Sequence, residues 1–273
     1  MFALAGADDI NKTIAAQIGK NIYIFLYLPK IVVLGTIMKK KNFFLKYIKI
    51  LFVYIPLVFI LVSIFWITIY RWVPVYVTPL MVKRSLEYAR DDSFKTKKKW
   101  VSLDEISKSM VMAVIASEDN RFDQHNGFDW IEIDKALEAG KKGKRLRGAS
   151  TITQQTAKNV FLLPSRSWLR KGLEAWFTLG LELIWGKERI MEVYLNVAEM
   201  GKGVYGVEAA ARHHFGKSAK RLTAHESALI AATLPNPLKR SASRPGPYVQ
   251  SRAVQIVELM YKVPRPEWLD KLK

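Results

Sequence analysis

Residues 118–129 read Glu-Asp-Asn-Arg-Phe-Asp-Gln-His-Asn-Gly-Phe-Asp and follow an apolar, helix-like run from Ile106 to Ser117. Glu118 is therefore expected near a helix end, not in a polar linker. Partial desolvation there raises the pKa of a carboxylate towards the range of a useful general base. Asp119, Phe122 and His125 follow within one compact bend, and Gly127 allows a tight return. A second polar block is Gly148-Ala-Ser-Thr-Ile-Thr-Gln-Gln155, followed by Lys158 and Asn159. A third is Arg170-Lys171-Gly-Leu-Glu174, which opens a long helix. Two placed carboxylates with a basic cluster between them point to glycosyl transfer or a phosphoryl-linked leaving group. The alternative for any one of these residues is a solvated helix end.

Helices must position these groups. Ser102-Leu-Asp-Glu105 and Thr223-Ala-His-Glu226 are capping boxes, each expected to start a helix. Further helices are expected around 80–89, over 130–140, from Thr151 to Val160, from Leu173 to Trp185, over 188–197 and over 248–261. In the long helix Leu173, Trp176, Phe177, Leu181, Ile184 and Trp185 suit a core, while Glu174, Thr178 and Glu182 share another face at spacing four. Residues 140–148 read as a mobile basic loop. Val160 to Leu163 look exposed and apolar. Trp168 and Leu169 extend that run with Arg166, Arg170 and Lys171 interleaved, which suits a membrane surface carrying anionic headgroups. Core packing is the alternative. Glu192 and Asn196 are read as structural, and Gly201, Gly203 and Gly206 as a turn region.

Composition narrows the classes. The chain has 273 residues and no cysteine, which excludes a disulfide scaffold, a cysteine nucleophile and a thiolate metal site. Its formal net charge of +19 favours acidic partners such as nucleic acid, anionic lipid or pyrophosphate. Ile50 to Tyr70 contains no charged residue and is long enough for one crossing. Lys39–Lys41, Lys46 and Lys49 precede it, so a cytoplasmic amino terminus is expected, with the following domain outside. Residues 1–38 are expected to be a misannotated extension before a start at Met38, or else a second membrane-associated segment. The expected order is then a basic segment over 39–49, the span over 50–70, a juxtamembrane linker over 71–100 and a catalytic domain over 101–273.

Glu-Asp-x-x-Phe-x-x-His-x-Gly, Gly-Ala-Ser-Thr-Ile-Thr-Gln-Gln and Arg-Lys-x-x-Glu together resemble the signatures of the peptidoglycan glycosyltransferases, a family shared with the bifunctional penicillin-binding proteins. The resemblance runs from about Val101 to Pro247 and includes Glu192-Val-Tyr-Leu-Asn196 and Gly203-Val-Tyr-Gly206. It implies a mainly α, lysozyme-like helical domain with a single amino-terminal transmembrane helix. It also implies polymerisation of lipid II by inverting transfer, with release of polyprenyl pyrophosphate. Glu118 matches the family's base and Glu174 its second essential glutamate. Asp119, Phe122 and His125 match residues that hold the site in shape. Lys158 and Arg170 match phosphate contacts, Arg166 is a weaker candidate, and Thr151 and Gln155 are expected beside the substrate.

A carboxylate beside phosphates implies either a cation, Mg²⁺ or Mn²⁺, or a role in orienting Lys158 and Arg170. No metal ligand set is assigned, since no dedicated motif is present. Implied partners are lipid II, the growing lipid-linked glycan, an anionic membrane and other cell-wall synthesis or division proteins, with no nucleic acid. The implied location is the inner membrane, with a periplasmic catalytic domain. Without Ser-x-x-Lys or Lys-Thr-Gly, a monofunctional enzyme is expected. The rivals are a lytic enzyme of similar fold, and a basic scaffold or nucleic-acid-binding membrane protein.

Overall fold

The computed structural model describes residues 46–143, 150–165 and 167–272. The expected extension over 1–38, most of the basic amino-terminal segment, Gly148 and Arg166 lie outside the described residues. The described chain is mainly helical, as the sequence predicts. It divides into two compact units, Met1–Val62 and Ser63–Lys273.

Lys46–Tyr70 is helical throughout and is long and apolar enough to cross a membrane. Its final part is α1, Ile55–Tyr70. A π-helical turn, Ile50–Tyr54, comes first, with the Ile55 N–H donating to Ile50 O. Pro56 has no N–H and crowds the preceding turn, so a widened turn falls where a tight one would strain.

The second unit contains the catalytic candidates. Thr78 caps α2, Pro79–Glu87, by accepting from the Met81 N–H. The strand β1, Lys97–Lys98, follows. The Ser102 capping box forms, but on a short 3-10 turn, Leu103–Glu105. Ile106 then becomes extended and fully buried, and Ser107 caps the helix proper, α3, Lys108–Glu118. Next come α4, Trp130–Lys141, α5, Ile152–Phe161, α6, Trp168–Ile184, and α7, Lys187–Val197. The strands β2, Glu199–Gly201, and β3, Val204–Tyr205, lead into α8, Val207–Phe215. Three helices finish the chain: α9, Ala224–Thr233, α10, Pro247–Lys262, and α11, Glu267–Lys271.

Two helical groups frame the site. In one, α3, α9 and α10 pack on each other; in the other, α5 packs on α6 and α7. Every residue of α3 from Met110 to Ala116 is buried, so Glu118 emerges directly from the core. The glycine-rich region read as a turn is a small sheet of order β1-β3-β2, in which β1 runs parallel to β3 and β2 antiparallel.

Residues 71–100, read as a linker, are packed into this unit. Val75 and Met81 are buried. Arg189 donates to the carbonyls of Tyr70 and Val73, and the Lys98 ammonium donates to those of Val75 and Tyr76. Burial pulls the Lys98 pKa down to about 8. The apolar run before Pro164 also differs from its expected exposure. Val160 and Leu162 join the core, Phe161 is half-buried against it, and Leu163 is exposed. Helical and then extended backbone in that run sends alternate side chains inward.

Candidate active site

Glu118 ends α3 half-buried, with its Oε2 accepting from Gln155 Nε2 on α5 at 2.9 Å. Gln155 Oε1 in turn accepts from the hydroxyl of buried Tyr194 on α7, at 3.4 Å. Burial pushes the Glu118 pKa up, and the Asp119 charge adds to this. The Gln155 hydrogen bond and the charges of Arg252 and Lys158 oppose it. A carboxylate poised in this way suits proton abstraction near neutral pH.

The bend after Glu118 is built to hold it. Asp119 is buried, accepts from the Ile152 N–H at 3.0 Å and pairs with His125 Nε2 at 3.0 Å. Phe122 is fully buried, with the Lys187 ammonium 4.6 Å from its ring centroid. The same ammonium donates to His125 O at 2.6 Å and pairs with Glu182 at 2.9 Å. Gly127 has φ +87°, and an added Cβ would lie 2.6 Å from Thr178 Cγ2. Only glycine meets both conditions comfortably. Thr151 donates to Gly127 O at 2.7 Å, and its oxygen caps α5 in a capping box with Gln154.

The second group of charges lies on α5 and α6. Glu174, 3% exposed, accepts from Arg170 Nη1 at 2.6 Å and is also ion-paired with Lys171. The spacings of four and three residues put all three side chains on one helix face. Lys158 is half-buried and its pKa is lowered, first by burial. The charges of Arg170 and Lys171 lower it further, while those of Glu174 and Glu118 raise it. Lys158 therefore senses both carboxylates, and electrostatics join the two ends of one site. Beside Glu118 opens a cavity of about 420 Å³, lined by Asn120, Glu132, Lys135, Ser150 and Arg252 among others.

A family model described as Transglycosylase matches residues 86–261. The chain is 57% identical over 200 residues to the biosynthetic peptidoglycan transglycosylase of Bacteroides thetaiotaomicron, covering 73% of this chain and 81% of that protein. It is 54% identical over 202 residues to the protein of that name from Bdellovibrio bacteriovorus, covering 74% and 81%. The corresponding figures for the Pseudomonas aeruginosa protein are 47% over 216 residues, 79% and 93%.

The chain belongs to the transglycosylase family.

It is accordingly a glycosyltransferase enzyme, and its geometry sorts the residues singled out from sequence. Glu118, Gln155, Lys158, Arg170 and Glu174 are brought together. Asp119, Phe122 and His125 lie behind them as supports, and Phe122 is too deeply buried to touch a ligand. The Thr151 hydroxyl donates to Gly127 O and accepts from the Gln154 N–H, so it positions α5 at the edge of the cavity. Asn196 is structural, as expected, exchanging hydrogen bonds with the Val101 backbone.

Four transglycosylase residues were not singled out as site residues. Lys171 was legible, since it stands three residues from Glu174. Tyr194 stands within Glu192-Val-Tyr-Leu-Asn196, where nothing local marks it out. Lys187 and Arg252 carry no local signal, because their partners are far away in sequence.

The site offers little to a divalent ion. Both Glu174 oxygens are engaged by cations. Asp119, His125 and Asp129 bring three possible ligand atoms within 4.8 Å of one another. However, Asp119 and His125 bond each other, and Asp129 Oδ2 faces Arg121 Nε at 3.1 Å. A guanidinium so close repels a metal ion. These residues do not fit Mg²⁺ or Mn²⁺.

Proposed function

We propose that this enzyme polymerises lipid II into β-1,4-linked glycan strands by inverting transfer, releasing polyprenyl pyrophosphate, in bacterial cell-wall synthesis. The observation that carries this is the pairing of a desolvated carboxylate, Glu118, with a cluster of cations, Lys158, Arg170 and Lys171, coupled to it through Lys158. A hydrolase needs the acid but not the cations, whereas a pyrophosphate leaving group needs both.

In the proposed reaction Glu118 takes the proton from the 4-hydroxyl of the acceptor N-acetylglucosamine. That oxygen attacks the anomeric carbon of the donor N-acetylmuramic acid as its bond to pyrophosphate breaks. Gln155 holds Glu118 in place. Lys158 and Arg170 meet the negative charge that develops on the leaving group, in a partly desolvated setting where such contacts are strong. Glu174 fixes Arg170 and Lys171 and supplies no proton transfer. No step runs through a metal. The helix Lys46–Tyr70 anchors the enzyme in the inner membrane with its amino terminus cytoplasmic, its catalytic unit periplasmic and anionic lipid nearby. Other cell-wall synthesis or division proteins are proposed as physiological partners.

The test mixes purified full-length protein with labelled lipid II in detergent, with and without EDTA. Glycan chains should lengthen, and polyprenyl pyrophosphate should appear in step. Inert lipid II alongside shortening of preformed glycan would move the enzyme to the lytic class. Loss of elongation on adding EDTA, restored by Mg²⁺ or Mn²⁺, would show a metal requirement. Reporter fusions after Lys49 and Val101 test topology, and a cytoplasmic signal from the second would overturn it.

A further inference from the structure

Three side chains from three helices stand in line behind the reacting carboxylate. Glu118 ends α3, Gln155 lies on α5 and Tyr194 on α7. The Tyr194 hydroxyl donates to Gln155 Oε1 at 3.4 Å, and Gln155 Nε2 donates to Glu118 Oε2 at 2.9 Å. Tyr194 is 1% exposed, and Gln155 is the one hydrogen-bond partner of its hydroxyl among the described residues. Residues Val193 to Val197 of α7 are all buried, and α7 packs on α5, so the phenol is fixed in place. Burial, then the charges of Glu118 and Asp119, hold the Tyr194 pKa well above the ordinary phenol value. The hydroxyl therefore stays a donor across the neutral range.

A side-chain amide donates from one side and accepts on the other. While Glu118 is ionised, its own charge draws the NH2 group of Gln155 towards it. Once Glu118 has taken a proton, that preference is gone. A flipped amide would then accept from the carboxylic acid and hold the proton there. The same flip would turn the NH2 group towards Tyr194 and leave the buried phenolic O–H without an acceptor, which is unfavourable. Tyr194 thus opposes the one rearrangement of Gln155 that stabilises the protonated base.

We propose that Tyr194 is a positioning residue for glycosyl transfer, which locks the Gln155 amide with its NH2 group towards Glu118 and so keeps the base from retaining the proton it takes. Tyr194 exchanges no proton itself. The lock matters to catalysis only if Glu118 is the base, so it rests on that reading of the site.

Other ionisable groups also face Glu118. Asp119 follows it in the bend, Asp129, Glu132 and Lys135 line the cavity from the side of α4, Lys158 stands on α5 and Arg252 on α10. None of them changes in Tyr194→Phe, in Gln155→Leu or in the double variant, so a comparison of these proteins isolates the amide. Phenylalanine keeps the buried ring. Loss of the phenol oxygen also makes the site less polar, which raises a carboxyl pKa directly. That part persists when residue 155 is leucine, whereas the part due to the amide disappears.

Full-length protein labelled with carboxyl-carbon-13 glutamate, in detergent micelles, reports the titration of Glu118 by NMR. Its resonance is the one missing from Glu118→Gln. Thermal melts of each variant show that it is folded at the temperature of the titration. Tyr194→Phe should move the Glu118 midpoint up by about half to one pH unit, the scale of one net hydrogen bond. Added to Gln155→Leu, the same substitution should move it no further. An unmoved midpoint in Tyr194→Phe would overturn the proposal, and so would an equal move in the Gln155→Leu background. The acidic limb of lipid II elongation should rise in step with the midpoint. The carboxyl titration needs no lipid II, so it tests the lock by itself. Expected midpoints beside an unmoved acidic limb would support the lock and overturn instead the reading of Glu118 as the base.

Discussion

Glu118 and Glu174 are both glutamates on helices of one catalytic unit, yet their surroundings are opposite. Glu118 leaves a helix buried from Met110 to Ala116 and meets one neutral donor, Gln155. Glu174 is deeper, and two cations hold its oxygens. The first carboxylate is short of stabilising partners, so a proton is worth taking. The second is saturated, so its negative charge organises cations. One residue type thus serves two purposes, set by neighbours contributed from other positions in the chain.

The sharpest way to break this contrast is Glu118→Gln. The amide keeps the shape but takes no proton, so lipid II elongation should fall by about 10²–10⁴-fold. Stability should move the other way. The folded-state pKa of Glu118 is raised, so its contribution to stability is complete below the unfolded pKa and is lost as pH rises through the folded one. At pH 7 the variant should therefore melt above the parent, and the gap should close below about pH 4. A variant that melts lower at pH 7 would contradict the desolvated base.

Glu174→Gln should cost on the order of 10²-fold in elongation, through misplaced Arg170 and Lys171. Its signature differs, because Glu174 raises the Lys158 pKa while the two released cations lower it. The alkaline limb of the pH–rate profile should move to lower pH, with the acidic limb unchanged. Movement of the acidic limb alone would make Glu174 part of the base.

Gly127→Ala tests the bend that both ends share. A positive φ and a contact at 2.6 Å should together lower stability by about 1–3 kcal/mol, read from urea unfolding.

The smallest effects should come from Gln155→Leu and Arg252→Met. Each removes an influence that lowers the Glu118 pKa, so the acidic limb should shift to higher pH. For Gln155→Leu the loss near neutral pH should stay within about ten-fold, the scale of one net hydrogen bond. An unshifted limb in both variants would mean that neither group tunes the base.

Much of this was legible in the chain itself. The uncharged run before Arg71 specifies a helix of membrane-spanning composition, because no residue in it needs water. The capping box at Thr223 and the i,i+4 pair of Arg170 and Glu174 specify a helix start and a shared face, because their partners lie within one turn. Only tertiary structure could decide the rest. Arg252 reaches Glu118 from α10, and Lys187 ties His125 to Glu182. The pairing of β1 with β3 draws an apparent linker into the fold, and Gly180, where an added Cβ would lie 2.6 Å from Ile67 Cδ1, lets α6 pack against the end of the apolar helix. Helical periodicity reports which residues share a face, but not which distant element will cover it. That choice depends on shape, charge and burial summed across the folded chain.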